Sequence, residues 1–295
     1  MDQIIKIITD LSRFSPRQGE NENKTARYLE SVIISLGITP IIQSFDTEVP
    51  IILRAELLFD GVPVPCLGGS FQSGQITSKS QVHFSPYSDY IETLSYPYGP
   101  GVHISKSNKS LLDNASIVSG ETVVNKHSYQ SRNILVGNSV NPDKIVFAHY
   151  DSLGGGAVDN AGSVAVCLHL ISDNQELLSN NLFVFVGNEE LSYDTPDYWG
   201  KGYREFEKQY LDLLNFAKEI IVVDGVGVTT PQTITENIED VFPVRNLSAL
   251  TSKTTWISSV QSEVLKCYHC LEDTPDKLNQ DFLHESIDCL QKMLI

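Results

Sequence analysis

A histidine that closes a short run of β-formers, with carboxylates two and ten positions later, opens the chemistry of this sequence: Ile145-Val-Phe-Ala-His149-Tyr-Asp151, then Asp159-Asn-Ala-Gly. In an open α/β sheet, ligands bind outside the carboxyl ends of the strands. The polar residues that follow each apolar run are therefore the ones to compare. Leu182-Phe-Val-Phe-Val-Gly-Asn is followed by Glu189 and Glu190, and Ile220-Ile-Val-Val by Asp224. All are metal-ligand types at consecutive strand ends. Two adjacent carboxylates at the edge of a core repel each other and lose hydration. A divalent cation reverses that balance: one carboxylate binds metal while the other is free to take a proton from water. A solvated helix start, where the helix dipole favours Glu, is the alternative role for this pair. A second nitrogen donor is found in Tyr268-His269-Cys-Leu-Glu-Asp-Thr-Pro-Asp276-Lys. His169 falls in an apolar helix, His83, His103 and His127 in a β-like stretch, and His284 on the last helix.

These elements must position the donors. Residues 2–14 read as a helix, Ser15–Gly19 as a break, Glu22 to Leu36 as a second helix with Gly37 as its C-cap, and Ile38 to Phe45 as a strand. From Arg132 onward the pattern is regular. Asn133–Val136, Lys144–Ala148, Leu182–Val186 and Ile220–Val223 read as strands, Ser163–Ile171 and Gln280–Leu294 as helices. Near-continuous apolar strands alternating with helices predict an α/β fold: a mixed, largely parallel central sheet with helices on both faces. Residues 50–130 differ. Short β-like runs (Arg54–Phe59, Gln81–Phe84, Gly101–Ile104), the hairpin signal Asp60-Gly61, and Tyr87, Tyr90, Tyr96 and Tyr98 suggest a small β-rich insertion or lid within one catalytic domain spanning 1–295.

Composition narrows the class. The chain has 295 residues, 41% hydrophobic and 20% charged, with a formal net charge of −16. Such a surface repels phosphate backbones and anionic lipid, so neither nucleic acid nor a membrane is expected as partner. No apolar run approaches the ~20 residues that span a bilayer. Met1-Asp-Gln-Ile-Ile-Lys does not read as a signal peptide, and five scattered cysteines are expected as reduced thiols, which points to the cytoplasm. The single CxxC, Cys267-Tyr-His-Cys270, is weak evidence for a structural zinc or redox site.

The set His149-Tyr-Asp-Ser with Asp159-Asn-Ala-Gly, Asn-Glu189-Glu190, Val-Asp224-Gly and His269 with Asp-Thr-Pro-Asp-Lys resembles the co-catalytic di-zinc aminopeptidases of the aminopeptidase S/Y type, related to glutamate carboxypeptidase and glutaminyl cyclases. The resemblance covers roughly 1–45 and 130–295. It implies two divalent metal ions, zinc expected, with Asp159 as the bridge, His149 and Asp224 on one metal, and Glu190 and His269 on the other. It implies Glu189 as general base and acid, and Asp151 as the residue that orients His149. The implied reaction is hydrolysis of a peptide bond by hydroxide shared between the metals, with a peptide or N-terminal amino acid as substrate. Two departures stand out: the loop Leu191–Gly202 lacks the Gly that commonly follows the paired glutamates, and brings Tyr193, Tyr198 and Trp199 near the site. The Gly154-Gly155-Gly156 run is expected to loosen the approach to Asp159.

The alternatives are a carboxypeptidase or aminoacylase-type amidohydrolase, or a non-catalytic binding protein that keeps the fold. The aminoacylase type usually inserts a dimerisation domain before its last histidine, and only about forty-five positions separate Asp224 from His269. A glutaminyl cyclase is disfavoured by the full two-metal set, and a binding protein by the retained base and bridge. The sequence leaves oligomeric state open.

Overall fold

The computed structural model describes residues 3–93 and 99–295. Its centre is a sheet of β1 (Ile41–Phe59), β2 (Val118–Gly137), β3 (Lys144–His149), β4 (Asn181–Val186), β5 (Glu219–Val223), β6 (Gln232–Ile234) and β7 (Thr254–Ser258). Their order is β6-β7-β5-β3-β4-β2-β1, with Val62–Pro63 added outside β1 and Gly74–Ile76 paired on β2. β7, β5, β3 and β4 are mutually parallel, while β6, β2 and β1 join antiparallel. The sheet is thus mixed, with a parallel centre, and the four parallel strands deliver their carboxyl ends to one side.

The apolar runs are continuous because both faces are covered. Along β3, Val146 and Ala148 pack into one core with α1 (Gln3–Ser12), α2 (Glu20–Ser35), α3 (Gly162–Asp173) and α5 (Gln280–Leu294). The alternate residues, Ile145 and Phe147, pack into a second core with Tyr203, Phe206 and Leu214 of α4 (Lys201–Phe216). A strand with period-2 side chains and no solvent face has no reason to carry polar residues until it ends. His149, level with Val186 on β4, is where β3 does so.

The expected strands Ile38–Phe45 and Arg54–Phe59 fall on one strand, which begins only at Ile41. β1 runs for 19 residues against the 20 of β2, forming a ribbon that leaves the main sheet at its edge. Positions 50 and 130 both fall within this ribbon. Asp60 and Gly61, at φ 49° and 82°, turn the chain at its tip. Between the two strands lies a three-stranded sheet of Leu67–Gly68, Val102–His103 and Val82–His83. It carries its own apolar cluster, with Leu57, Ile76, Val102 and Ile104 at its centre. Tyr96 and Tyr98 lie outside the described residues, and Tyr87 is exposed.

Candidate metal centre

The strand ends bring the acidic and imidazole side chains together. Asp159 stands at the middle. Its Oδ1 lies 3.1 Å from His149 Nε2, and its Oδ2 lies 3.3 Å from His269 Nε2. Asp224 Oδ2 is 3.5 Å from the same His149 nitrogen, and Glu190 Oε2 is 2.7 Å from the same His269 nitrogen. Two donor sets result, His149–Asp159–Asp224 and Asp159–Glu190–His269, each with its donor atoms within 4.8 Å of one another. Asp159 belongs to both.

Local structure explains each placement. Asn188, at φ 51°, turns the chain just after β4; Thr47 Oγ1 donates to its Oδ1, and its Nδ2 donates to Leu191 O. That turn directs Glu189 and Glu190 inward, and they are buried to 7% and 6% exposure. Neither stands at a helix start, since α4 begins only at Lys201. Asp159 is held through its backbone: Asp273 accepts from Val158 N–H at 2.8 Å and Asp159 N–H at 3.1 Å. Asn160, joined to Asp159 by a cis peptide, donates to Val223 O and accepts from Gly225 N–H, so Asp159 is pinned to the end of β5 beside Asp224. Asp151 lies 3.5 Å from His149 Nδ1 through Oδ1, and its Oδ2 accepts from Glu190 N–H at 2.9 Å.

The glycine run tightens the site rather than loosening it. Gly155 N–H donates to Cys270 O at 2.8 Å, and Ala157 N–H to Asp273 O at 3.1 Å. A Cβ at Gly154 or Gly155 would lie 2.2 Å from the Cys270 or Asp273 carbonyl oxygen. Only glycine lets the loop before Asp159 pack this closely on the loop carrying His269. Arg17, fully buried, spans the other side: its guanidinium donates to Tyr150 O at 2.6 Å and to Gly156 O at 2.8 Å. Asp273 and Arg17 carry no periodic signal in the sequence, and their roles emerge only from these backbone contacts. Cys267 and Cys270 are free thiols that donate to the carbonyls of Val264 and Cys267, and among the described residues neither belongs to a candidate metal-binding group.

The electrostatics follow from burial and crowding. Burial works to raise Asp159, but the imidazoles of His149 and His269 beside it outweigh this and hold it below the usual carboxylate range. Burial pushes Glu190 up to about 7, with Asp159 adding to the rise. Glu189 is pushed well above its ordinary value by burial, against the pull of His149. Burial pulls on His269, yet Glu190 and Asp159 prevail and hold it up at about 10.

The donors fit divalent cations. Glu190 Oε1 and His269 Nε2 are buried without a hydrogen-bond partner. At 2.7 Å, His269 Nε2 and Glu190 Oε2 are close but not aligned as donor and acceptor. Once deprotonated, both can serve as ligands of one ion. Imidazole and carboxylate oxygen are zinc donors.

A cavity of about 540 Å³ opens over these residues, lined by Trp199, Tyr198, Trp256 and Tyr268 among others. Tyr268 stacks on the His269 ring, centroids 3.5 Å apart. Of the aromatics after Glu190, Tyr198 and Trp199 line the cavity, whereas Tyr193 packs on Phe71 and donates to its carbonyl oxygen.

Comparison with known proteins gives a partial family match and a shared fold. Residues 134–241 match peptidase family M28, a span that holds every strand-end donor except His269. A zinc aminopeptidase from Bacillus subtilis shares the fold at a TM-score of 0.67 and 16% identity, covering 98% of this chain and 92% of its own. An aminopeptidase from Aneurinibacillus sp. strain AM-1 gives 0.60 and 14%, covering 97% and 91%. Porphyromonas gingivalis glutaminyl cyclase gives 0.56 and 13%, covering 99% and 96%. No curated protein matches the chain by sequence. The matched segment, the strand-end residues and the shared fold together make this chain similar to peptidase family M28 and to zinc exopeptidases in architecture.

Proposed function

We propose that the chain is an aminopeptidase with two zinc ions that share Asp159. The observation that carries this reading is the division of that carboxylate, one oxygen 3.1 Å from the imidazole of His149 and the other 3.3 Å from that of His269. His149 and Asp224 would hold one ion, and Glu190 and His269 the other. When bound, such a pair acidifies water and polarises a carbonyl.

The chain's own residues supply the rest. Glu189 lines the cavity beside both donor sets, and burial gives its carboxyl a raised proton affinity. It is therefore suited to take a proton from the attacking water and pass it to the leaving amine. Asp151 orients His149 while fixing the backbone at Glu190. Among the described residues lining the cavity, none is Lys or Arg. A free substrate carboxylate finds no partner there, which supports action at an amino terminus over carboxypeptidase or aminoacylase chemistry. The aromatic walls suit an apolar side chain.

A panel of aminoacyl anilides, N-acetylated counterparts, carboxyl-terminal substrates and glutaminyl peptides tests this. Free-amine substrates are expected to be hydrolysed and blocked ones not. Glu189→Gln should keep about two metals and lose about 100- to 10,000-fold in kcat. Preferential cleavage of N-acyl amino acids, or cyclisation of glutaminyl peptides without hydrolysis, would overturn the reading.

A further inference from the structure

Among the described residues between β1 and β2, three reach the loop that carries His269. Thr93 donates twice to the carbonyl oxygen of His269, from its backbone N–H at 2.7 Å and from Oγ1 at 2.7 Å. Glu92 pairs with Cys270 as an antiparallel bridge. Tyr90 OH accepts from Lys277 Nζ at 3.2 Å, and the same ammonium sits 5.2 Å from the centre of the Tyr90 ring. Three residues within four positions thus bind the loop that holds His269.

That loop needs an external hold. His269 sits at φ 53°, a left-handed conformation that is uncommon for a residue with a side chain. Its backbone lies in no helix or strand, so no ladder fixes it. The two donors from Thr93 fall on the carbonyl of this residue. They fix the peptide plane after it, and with it the direction in which the imidazole leaves the chain. The other face of the loop is clamped by the glycines, through Gly155 N–H on Cys270 O and Ala157 N–H on Asp273 O. His269 is thereby held between the catalytic core on one side and the β1–β2 connection on the other.

We propose that Thr93 is a positioning residue for His269, and that through it the β1–β2 connection sets the affinity of the metal position held by His269 and Glu190. This rests on the two-metal reading above. It gives the connection a role other than covering the site. Residues that hold a metal ligand from behind typically change metal affinity 10- to 100-fold when removed.

The test compares Thr93→Val, which keeps the shape and the N–H but removes the hydroxyl donor, with Thr93→Ser, which keeps the donor. Zinc affinities are measured by chelator competition, with His269→Ala and the Thr93→Val/His269→Ala double variant alongside, and melting temperatures recorded for all. Thr93→Val should weaken one zinc equivalent about tenfold and leave the other unchanged. Thr93→Ser should match the wild type. In the His269→Ala background, Thr93→Val should have no further effect on zinc. Equal weakening of both equivalents, a Thr93→Ser variant as impaired as Thr93→Val, or unchanged affinities in Thr93→Val would each overturn the proposal. A wild type that takes up fewer than two zinc ions refutes the two-metal reading instead. The effect of Thr93→Val on the remaining affinity then still decides the role of Thr93.

Discussion

The Asp151 carboxylate accepts a hydrogen bond from the backbone N–H of Glu190 at 2.9 Å, joining the end of β3 to the turn after β4. Its other oxygen faces His149 Nδ1 at 3.5 Å. One side chain therefore touches a residue of each set, facing the ring of His149 and holding the backbone of Glu190.

Asp151→Asn keeps one acceptor and replaces the other with an amide that cannot accept from an imidazole N–H. Zinc affinity is expected to fall about 10- to 100-fold, with both equivalents affected, because both donor sets lose their fixed orientation. Chelator competition reads this directly. Unchanged affinity would show that Asp151 holds neither donor.

Gly155→Ala would bring a methyl 2.2 Å from the carbonyl oxygen of Asp273 and 2.9 Å from that of Leu271. The two loops must then separate, taking His269 away from Asp159. A lower melting temperature and loss of one zinc equivalent are expected. A variant that keeps both zinc ions at wild-type affinity would mean that the loops are not locked by contact at Gly155.

Glu22 gives a pH test away from the metal donors. It lies in the first turn of α2, is buried, and accepts from Tyr129 OH and Ser131 Oγ. Burial, with repulsion from Asp151, pushes its carboxyl up to about 8. A raised folded-state value means that the folded chain keeps a proton the unfolded chain has released. Its contribution is fully present below the ordinary value of about 4.3 and is lost as pH rises toward 8. Unfolding free energy, measured with chelator present, should therefore fall across this window. In Glu22→Gln that fall should be smaller. Parallel pH profiles for wild type and variant would contradict the assignment.

The candidate metal donors are legible because their strands are buried on both faces. Apolar runs such as Leu182–Val186 allow polar residues only where they stop, so Glu189, Glu190 and Asp224 stood out. The long ribbon was not legible as one unit. In β2, Asn125 to Gln130 mixes exposed polar residues with the buried Tyr129, because in the sheet that stretch pairs with β1 alone. β7 was missed because Thr254–Ser258 is short and half polar, and α4 because its buried residues are interrupted by a non-helical Tyr210. Arg17, Thr93 and Asp273 were silent for another reason. Each acts by bonding backbone groups on loops remote in sequence, and a single polar residue in a loop carries no pattern that reveals such a partner.

The sharing of Asp159 is tested most directly by anomalous diffraction at the zinc edge from crystals of the zinc-loaded protein. Two peaks are expected, about 3.5–4 Å apart. Asp159 Oδ1 should lie about 2.0–2.2 Å from the ion that also contacts His149 and Asp224, and Oδ2 at the same distance from the ion held by Glu190 and His269. A single peak, or two peaks with Asp159 bound to only one, would contradict the account.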